Sequence, residues 1–255
     1  MLGHTAGVFR IDVERDGVAV EGADAARYLH SQLSQEIASM GIGASAWSFV
    51  LSPTGKVDSL VRVQRLREDR FVLDTDAGYG DGLLARLLRF RIRVAVEMVR
   101  VVRPVVVFRG AELPSGPDDA LVGWGDGFDL PAGHDALARL GPLGAVPSGT
   151  ADDLLRARIE ACWPAMGAEI VPGETVPAET GVISLAVNFA KGCYPGQELV
   201  ERMDSRGAAA PWRLEAVDVG PGAVAGAVLE RDGAAIGSLT SVLGSRAIAR
   251  IRRSA

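Results

Sequence analysis

Lysine, cysteine and histidine are all scarce in this chain. Among its 255 residues the only lysines are Lys56 and Lys191, the only cysteines Cys162 and Cys193, and the only histidines His4, His30 and His134. Two thiols allow at most one disulfide, which excludes a disulfide-framed secreted scaffold and makes a reducing cytoplasm the expected setting. They also fall short of the four thiolates that a protein-bound iron–sulfur cluster usually takes. The scattered histidines do not complete a four-ligand zinc site, so neither a resident cluster nor structural zinc is expected. Long apolar runs are missing as well. The N-terminal stretch has none after a basic start, and the most apolar later stretch, residues 91–108, is broken by charges every few residues. Neither a signal peptide nor a membrane span is expected. With so little lysine, nearly all positive charge is arginine. The balance is acidic, at a net charge of -5 and a pI of about 5.3, which argues against a mainly electrostatic nucleic-acid surface and leaves room only for a local basic pocket.

What is present reads as an ordinary globular chain, 48% hydrophobic and 23% charged, long enough for one large domain or two to three small ones. Residues 8–20 alternate loosely around Arg15-Asp16-Gly17 and predict a strand, a turn and a second short strand. Asp24 is placed to cap a helix carrying Ala25, Leu29, Leu33, Ile37 and Met40 on one face, with Gly41 to stop it. Residues 46–66 predict two strands joined at Pro53-Thr54-Gly55, and residues 69–76 a third. Leu83, Leu84, Leu87 and Leu88 form the apolar face of a short helix, followed by two strand-like runs from Ile92 to Phe108. A Gly/Pro/Asp-rich stretch from 110 to 149 holds candidates for short strands. A further helix begins at Thr150 or Asp152 and ends before Pro164, with Leu155, Ile159 and Cys162 sharing a face. Past Arg206 the chain alternates around glycine-containing turns, as a small all-β module does. Strands mixed with helices, without strict β-α-β order, predict an α+β fold with mostly antiparallel pairing.

The stretch with chemistry in it is KGCYPGQE, Lys191 to Glu198. Gly192 and Gly196 admit backbone angles closed to other residues and Pro195 fixes one more, so a sharp bend should present Cys193 at a defined point. An ammonium from Lys191 beside that thiol would favour the thiolate. The alternative is a cysteine that merely fills a tight turn.

This run resembles the signature of the YgfZ-type folate-binding proteins, Lys-Gly-Cys-aromatic-any-Gly-Gln-Glu. Lys191, Gly192, Cys193, Tyr194, Gly196, Gln197 and Glu198 all fit, and Pro195 falls at the free position. The surroundings are similar in order and spacing. Residues 22–37 resemble the family's Gly-x-Asp-Ala helix, and residues 46–57 its Leu-Ser-x-x-Gly-Lys/Arg hairpin. Residues 171–181 resemble its Pro-x-Glu segment, and residues 236–242 its closing Gly-x-x-Thr-Ser turn. The likeness spans most of the chain, with a gap at 110–149.

The family is related to the T-protein of the glycine cleavage system, a tetrahydrofolate-dependent aminomethyltransferase. The resemblance implies a ring of small domains around a central folate channel, ending in a β-barrel. On this chain that becomes a folate-binding α+β region at 1–204, built of two interlocked lobes with the second at roughly 45–145, and a barrel-like domain at 205–255. The implied ligand is tetrahydrofolate or a derivative. The implied role is help in assembling or repairing iron–sulfur clusters in client enzymes, including enzymes that modify tRNA, with links to oxidative stress. Folate and iron–sulfur client or carrier proteins are then the expected partners, with no membrane and no direct nucleic acid.

In the T-protein a glutamate in an Arg-x-Glu helix binds the pterin edge, and Arg158-Ile159-Glu160 places Glu160 at the matching position. One carboxylate can accept the pterin's amino group and adjacent ring N–H together. The bland alternative is an i, i+4 pair with Arg156, worth about 0.2–0.5 kcal/mol. The resemblance thus assigns working roles to Cys193 and Lys191, and folate contacts to Glu160, Asp58, Tyr194, Gly196, Gln197 and Glu198. One departure bears on activity. Where the T-protein has two aspartates in a strand, this chain reads Asp58-Ser59, so a folate-dependent aminomethyl or one-carbon transferase, with Asp58 holding the reacting amine, stands as the alternative function. A cysteine hydrolase pairing Cys193 with His30 or His134 is a third reading. Lys56, Arg202 and Arg206 are candidate contacts for an anionic folate tail, each equally explained as a solvated or paired surface charge.

Overall fold

A computed structural model describes residues 7–111, 121–131, 145–205 and 210–253. His4, His134, Arg206 and much of the 110–149 stretch lie outside the described residues. The chain divides into two compact units. The first comprises residues 1–14, 104–163 and 214–252, and the second residues 15–103, 164–213 and 253–255. Strands β1 (Phe9–Glu21) and β5 (Glu97–Arg109) each contribute residues to both.

In the second unit, β2 (Ser45–Leu51), β3 (Val57–Arg67) and β4 (Arg70–Thr75) form an antiparallel meander, and β1 pairs with β4 through Asp16↔Thr75 to Glu21↔Arg70. Helices α1 (Ala25–Gln32) and α2 (Gly80–Arg89) close the sheet over a core of Val18, Val20, Leu29, Val61, Phe71, Leu73, Leu83 and Leu87. Each such side chain taken wholly out of water contributes about 1.5–3 kcal/mol.

Two sequence expectations change here. The turn expected at Arg15-Asp16-Gly17 is uninterrupted strand, and its charged side chains take partners distant in sequence. Arg15 pairs with Asp74 and Asp76, and Asp16 pairs with Arg100 and accepts N–H bonds from Gly78 and Gly80. Gly17 serves close packing, since a Cβ there would meet the Leu73 carbonyl at 2.7 Å. The helix expected to run to Met40 ends at Gln32, and Leu33 is extended. Leu33 bridges to Val50, and Ser34 exchanges backbone and hydroxyl hydrogen bonds with Phe49. Those sheet partners win over helix propensity, while Leu33, Ile37 and Met40 are buried all the same. Beyond β5 the second unit continues through a 3-10 turn (Pro177–Glu179), α4 (Ile183–Ala186) and α5 (Gln197–Ser205).

The first unit carries β6 (Val122–Trp124) and β7 (Gly127–Pro131), a two-residue hairpin at Gly125-Asp126 that pairs with the second half of β5. Phe108, Phe128 and Leu130 lie at its centre. Helix α3 (Ala151–Glu160) starts from a capping box in which Thr150 and Asp153 satisfy each other's backbone N–H groups. It ends in a Schellman motif, with Cys162 N–H on the Ile159 carbonyl and Trp163 N–H on the Arg158 carbonyl. Cys162 therefore occupies the left-handed position usual for glycine, at φ 51°, rather than the apolar face of the helix. A four-stranded sheet follows, in the order β8 (Trp212–Asp218), β11 (Arg246–Arg252), β10 (Ala234–Leu243), β9 (Val228–Arg231), packed around Leu239, Ala247, Ala249 and Ile251.

Candidate functional site

The signature run folds as an anchored turn in the second unit. Gly196 has φ +81° and Gly55, in the β2–β3 turn, has φ +82°, and the two glycines face each other. A Cβ on Gly196 would meet the Ser52 carbonyl at 2.6 Å and Gly55 Cα at 2.7 Å, while one on Gly55 would meet Leu199 at 2.5 Å. Glycine at both positions is what lets the start of α5 sit on the hairpin. Tyr194 is buried, and burial, with the Glu201 carboxylate adding, pushes its phenol up to about 12. Its N–H donates to Gln197 Oε1 at 3.4 Å, and Gln197 donates in turn to Glu201. Glu198 and Arg202 are exposed on α5.

Lys191 is buried, only 7% exposed. Its ammonium donates to the His30 carbonyl at 2.5 Å and the Leu33 carbonyl at 2.6 Å, in the last turn and at the C-cap of α1, and lies 5.1 Å from the centre of the Tyr194 ring. Desolvation pulls this amine down to about 8, with Glu36 opposing. Cys193 is a free, exposed thiol at the tip of the turn. The His30 ring also lies near the turn, its Nε2 4.0 Å from where a Cβ on Gly192 would stand, while its Nδ1 faces the N–H groups of Ile37 and Ala38.

Asp58 lines a separate cavity of about 330 Å³ in the same unit, with Ser59, Tyr79, Arg86, Arg89 and Pro172. Its carboxylate accepts from Arg86 Nε at 3.1 Å, and Arg86 also reaches Gln32 Oε1 and the Leu51 carbonyl. Burial pushes the Asp58 carboxyl up, against the pull of Arg86. Arg86 escaped the sequence reading, which saw only leucines on its helix. The signal was there, since three residues past Leu83 and one before Leu87 puts a charge beside the apolar stripe.

Glu160 belongs to the first unit. It is exposed at the last turn of α3 and lines a cleft of about 240 Å³ with Gly125, Asp126, Ala157 and Ala161. The cleft is built by a tryptophan pair. Trp124, at the end of β6, stacks on Trp163, just past α3, with ring centres 5.2 Å apart and planes at 20°. Arg109 lies over the Trp124 ring, and Asp129 accepts from both Arg109 and the Trp124 indole. That network sets the β6–β7 turn against the end of α3, where a Cβ on Gly125 would come within 2.9 Å of Ala161. Among the described residues Glu160 has no hydrogen-bond or ion-pair partner, and the pairing with Arg156 is not formed. Asp126 was not foreseen, because a turn aspartate carries no signal beyond the turn itself.

The chain has the fold of a glycine cleavage system aminomethyltransferase. It superposes on the glycine cleavage system aminomethyltransferase T of Bartonella henselae with a TM-score of 0.69 over 96% of this chain and 78% of that one, at 20% identity. In sequence it is 26% identical over 219 residues to the tRNA-modifying protein YgfZ of Enterobacter sp. (strain 638), covering 74% of this chain and 65% of that protein. It is 24% identical over 199 residues to an uncharacterized protein of Haemophilus influenzae, covering 75% and 66%. No protein-family model matches the chain. The chain spans just under two thirds of the length of these curated relatives. The signature and these likenesses together support a YgfZ-type protein. Among the described residues no helix is long and apolar enough to cross a membrane.

Proposed function

We propose that this chain is a cytoplasmic, tetrahydrofolate-binding helper protein that uses Cys193 in the assembly or repair of iron–sulfur clusters in client enzymes, tRNA-modifying enzymes among them. The observation that carries the folate reading is the Glu160 cleft. It offers a carboxylate that has no partner among the described residues, with a second from Asp126, to a ligand edge rich in N–H donors. A pterin is such an edge, and charge-assisted hydrogen bonds to a carboxylate favour it. Bound folate supplies a one-carbon-carrying nitrogen. The protein's part is to hold the pterin at Glu160 and to present a thiol whose backbone is fixed by the Gly55–Gly196 contact. A cluster in transit is cargo, and a single exposed thiolate is the kind of ligand that can take it and give it up.

The transferase reading is favoured by one observation, the cavity at Asp58. Its carboxylate is already held by Arg86, and Ser59 supplies a hydroxyl where the T-protein has its second acid. Arg86 bonds only Oδ2 of Asp58, so a transferase would hold the amine at Oδ1 beside that pair.

Cys193→Ser separates the two readings. The helper reading expects the variant to lose complementation of a strain lacking this protein, scored by the level of cluster-dependent tRNA modification, while its tetrahydrofolate affinity stays within about twofold of wild type. Full complementation by Cys193→Ser, or aminomethyl transfer at an unchanged rate, would favour the transferase instead.

A further inference from the structure

The signature lysine stands two residues before the exposed cysteine, an arrangement that invites a direct charge contact with the thiolate. The structure assigns its ammonium elsewhere. Its two hydrogen bonds among the described residues go to carbonyls at the end of α1, from His30 and Leu33. Four carbonyls at a helix C-terminus have no partner within the helix, and a cation there meets both their lone pairs and the negative end of the helix dipole. The side chain is buried beneath the turn, over the Tyr194 ring, while Cys193 is exposed.

We infer that Lys191 is a positioning residue that ties the Cys193 turn to the end of α1, and is not the charge partner of the thiol. Two anchors then bracket the cysteine. Lys191 holds the turn to α1 on one side, and the Gly196–Gly55 contact holds it to the β2–β3 hairpin on the other. The anchored α1 end is itself fixed, because Ser34 donates to the Ala186 carbonyl at 2.6 Å and the Asn188 N–H donates to the Ser34 carbonyl at 2.9 Å. The turn therefore starts from a backbone with little freedom. The Glu36 carboxylate and the Tyr194 ring lie near Lys191, and an ammonium tied to two carbonyls has two of its three donors taken.

The inference rests on reading Cys193 as the working thiol, but its test needs neither folate nor a client. Alkylation of Cys193 by iodoacetamide, followed peptide by peptide across pH, separates the thiol's ionisation midpoint from the rate of the fully ionised form. For Lys191→Met the midpoint should stay within about 0.3 pH units of wild type, while the limiting rate at high pH changes at least about threefold. Alkylation of Cys162 in the same samples should not change, which distinguishes a loosened turn from a generally weakened fold. A midpoint raised by about one unit or more would make Lys191 the thiolate's partner and overturn the inference. No change in midpoint or limiting rate would overturn it as well. Should Lys191→Met fail to fold, the wild-type protein carries the test, because it has only two lysines to compare. Under competitive acylation the neutral amine of Lys191 should react at least about tenfold more slowly than that of Lys56, and equal reactivity would overturn the inference. Loss of folate binding in a separate experiment would sink the function proposed above and leave these rates untouched.

Discussion

Replacing Asp74 with asparagine is expected to cost about 3–5 kcal/mol of stability, the toll of stripping a buried ion network of its anion. Asp74 is fully buried and accepts from Arg62 Nε at 3.0 Å, Arg62 Nη2 at 2.8 Å and Arg15 Nε at 2.6 Å, with Arg103 Nη1 at 3.9 Å. Arg62 is fully buried with it, and desolvation already pulls Arg103 down to about 10. An amide cannot hold these cations, and their desolvation is then uncompensated. The melting temperature should fall by on the order of 10 °C, and the urea midpoint should fall with it. The arginines hold the Asp74 carboxyl below its usual 3.8, although burial alone would raise it. A carboxylate with a depressed folded-state pKa contributes stability that is fully present above 3.8 and is lost as the pH falls through the folded value. Wild type should therefore shed this contribution below about pH 4, and the asparagine variant should lack it at every pH. A loss under about 1 kcal/mol at neutral pH would contradict the network's role.

Gly196→Ala should be the second large effect, and a local one. The new methyl group would lie 2.6 Å from the Ser52 carbonyl and 2.7 Å from Gly55 Cα, both backbone atoms of a closed turn, at φ +81°. Left-handed backbone alone costs a non-glycine residue about 1–2 kcal/mol. Forced separation of two packed segments adds about 1–3 kcal/mol. Gly181→Ala is the matched control, with φ +76° and nothing within 4 Å of the added carbon. The difference between the two variants isolates the contact. Amide hydrogen exchange should quicken in residues 52–57 and 191–198 of Gly196→Ala and not in those of Gly181→Ala. Equal stability loss in both would mean that the two glycines are needed for their angles and not for their approach.

Much of the fold was legible because its signals are local. The β2–β3 hairpin follows from alternation on either side of Pro53-Thr54-Gly55, and α3 from its capping residue and Pro164. The α1 end was not legible. Leu33, Ile37 and Met40 recur at helical spacing, but sheet and loop partners distant in sequence, Val50, Phe49 and Ala186, take up the backbone and side-chain groups of Leu33 and Ser34. The same holds for Arg15-Asp16-Gly17, whose turn-like composition is overruled by Asp74, Asp76 and Arg100. At the candidate site, residue types and a resemblance picked out Cys193, Lys191, Glu160 and Asp58. The sequence could not tell what each is bonded to. That Lys191 reaches back to residues 30 and 33, that Arg86 holds Asp58, and that Asp126 joins Glu160 are all consequences of tertiary contact.

Whether Glu160 receives a pterin is tested directly by anaerobic calorimetric titration of wild type and Glu160→Gln with tetrahydrofolate. Wild type should show saturable one-site binding that weakens about 10- to 100-fold in the variant, the worth of about 1.5–3 kcal/mol for hydrogen bonds to a charged group. Equal affinity in both proteins, or no binding by either, would contradict it.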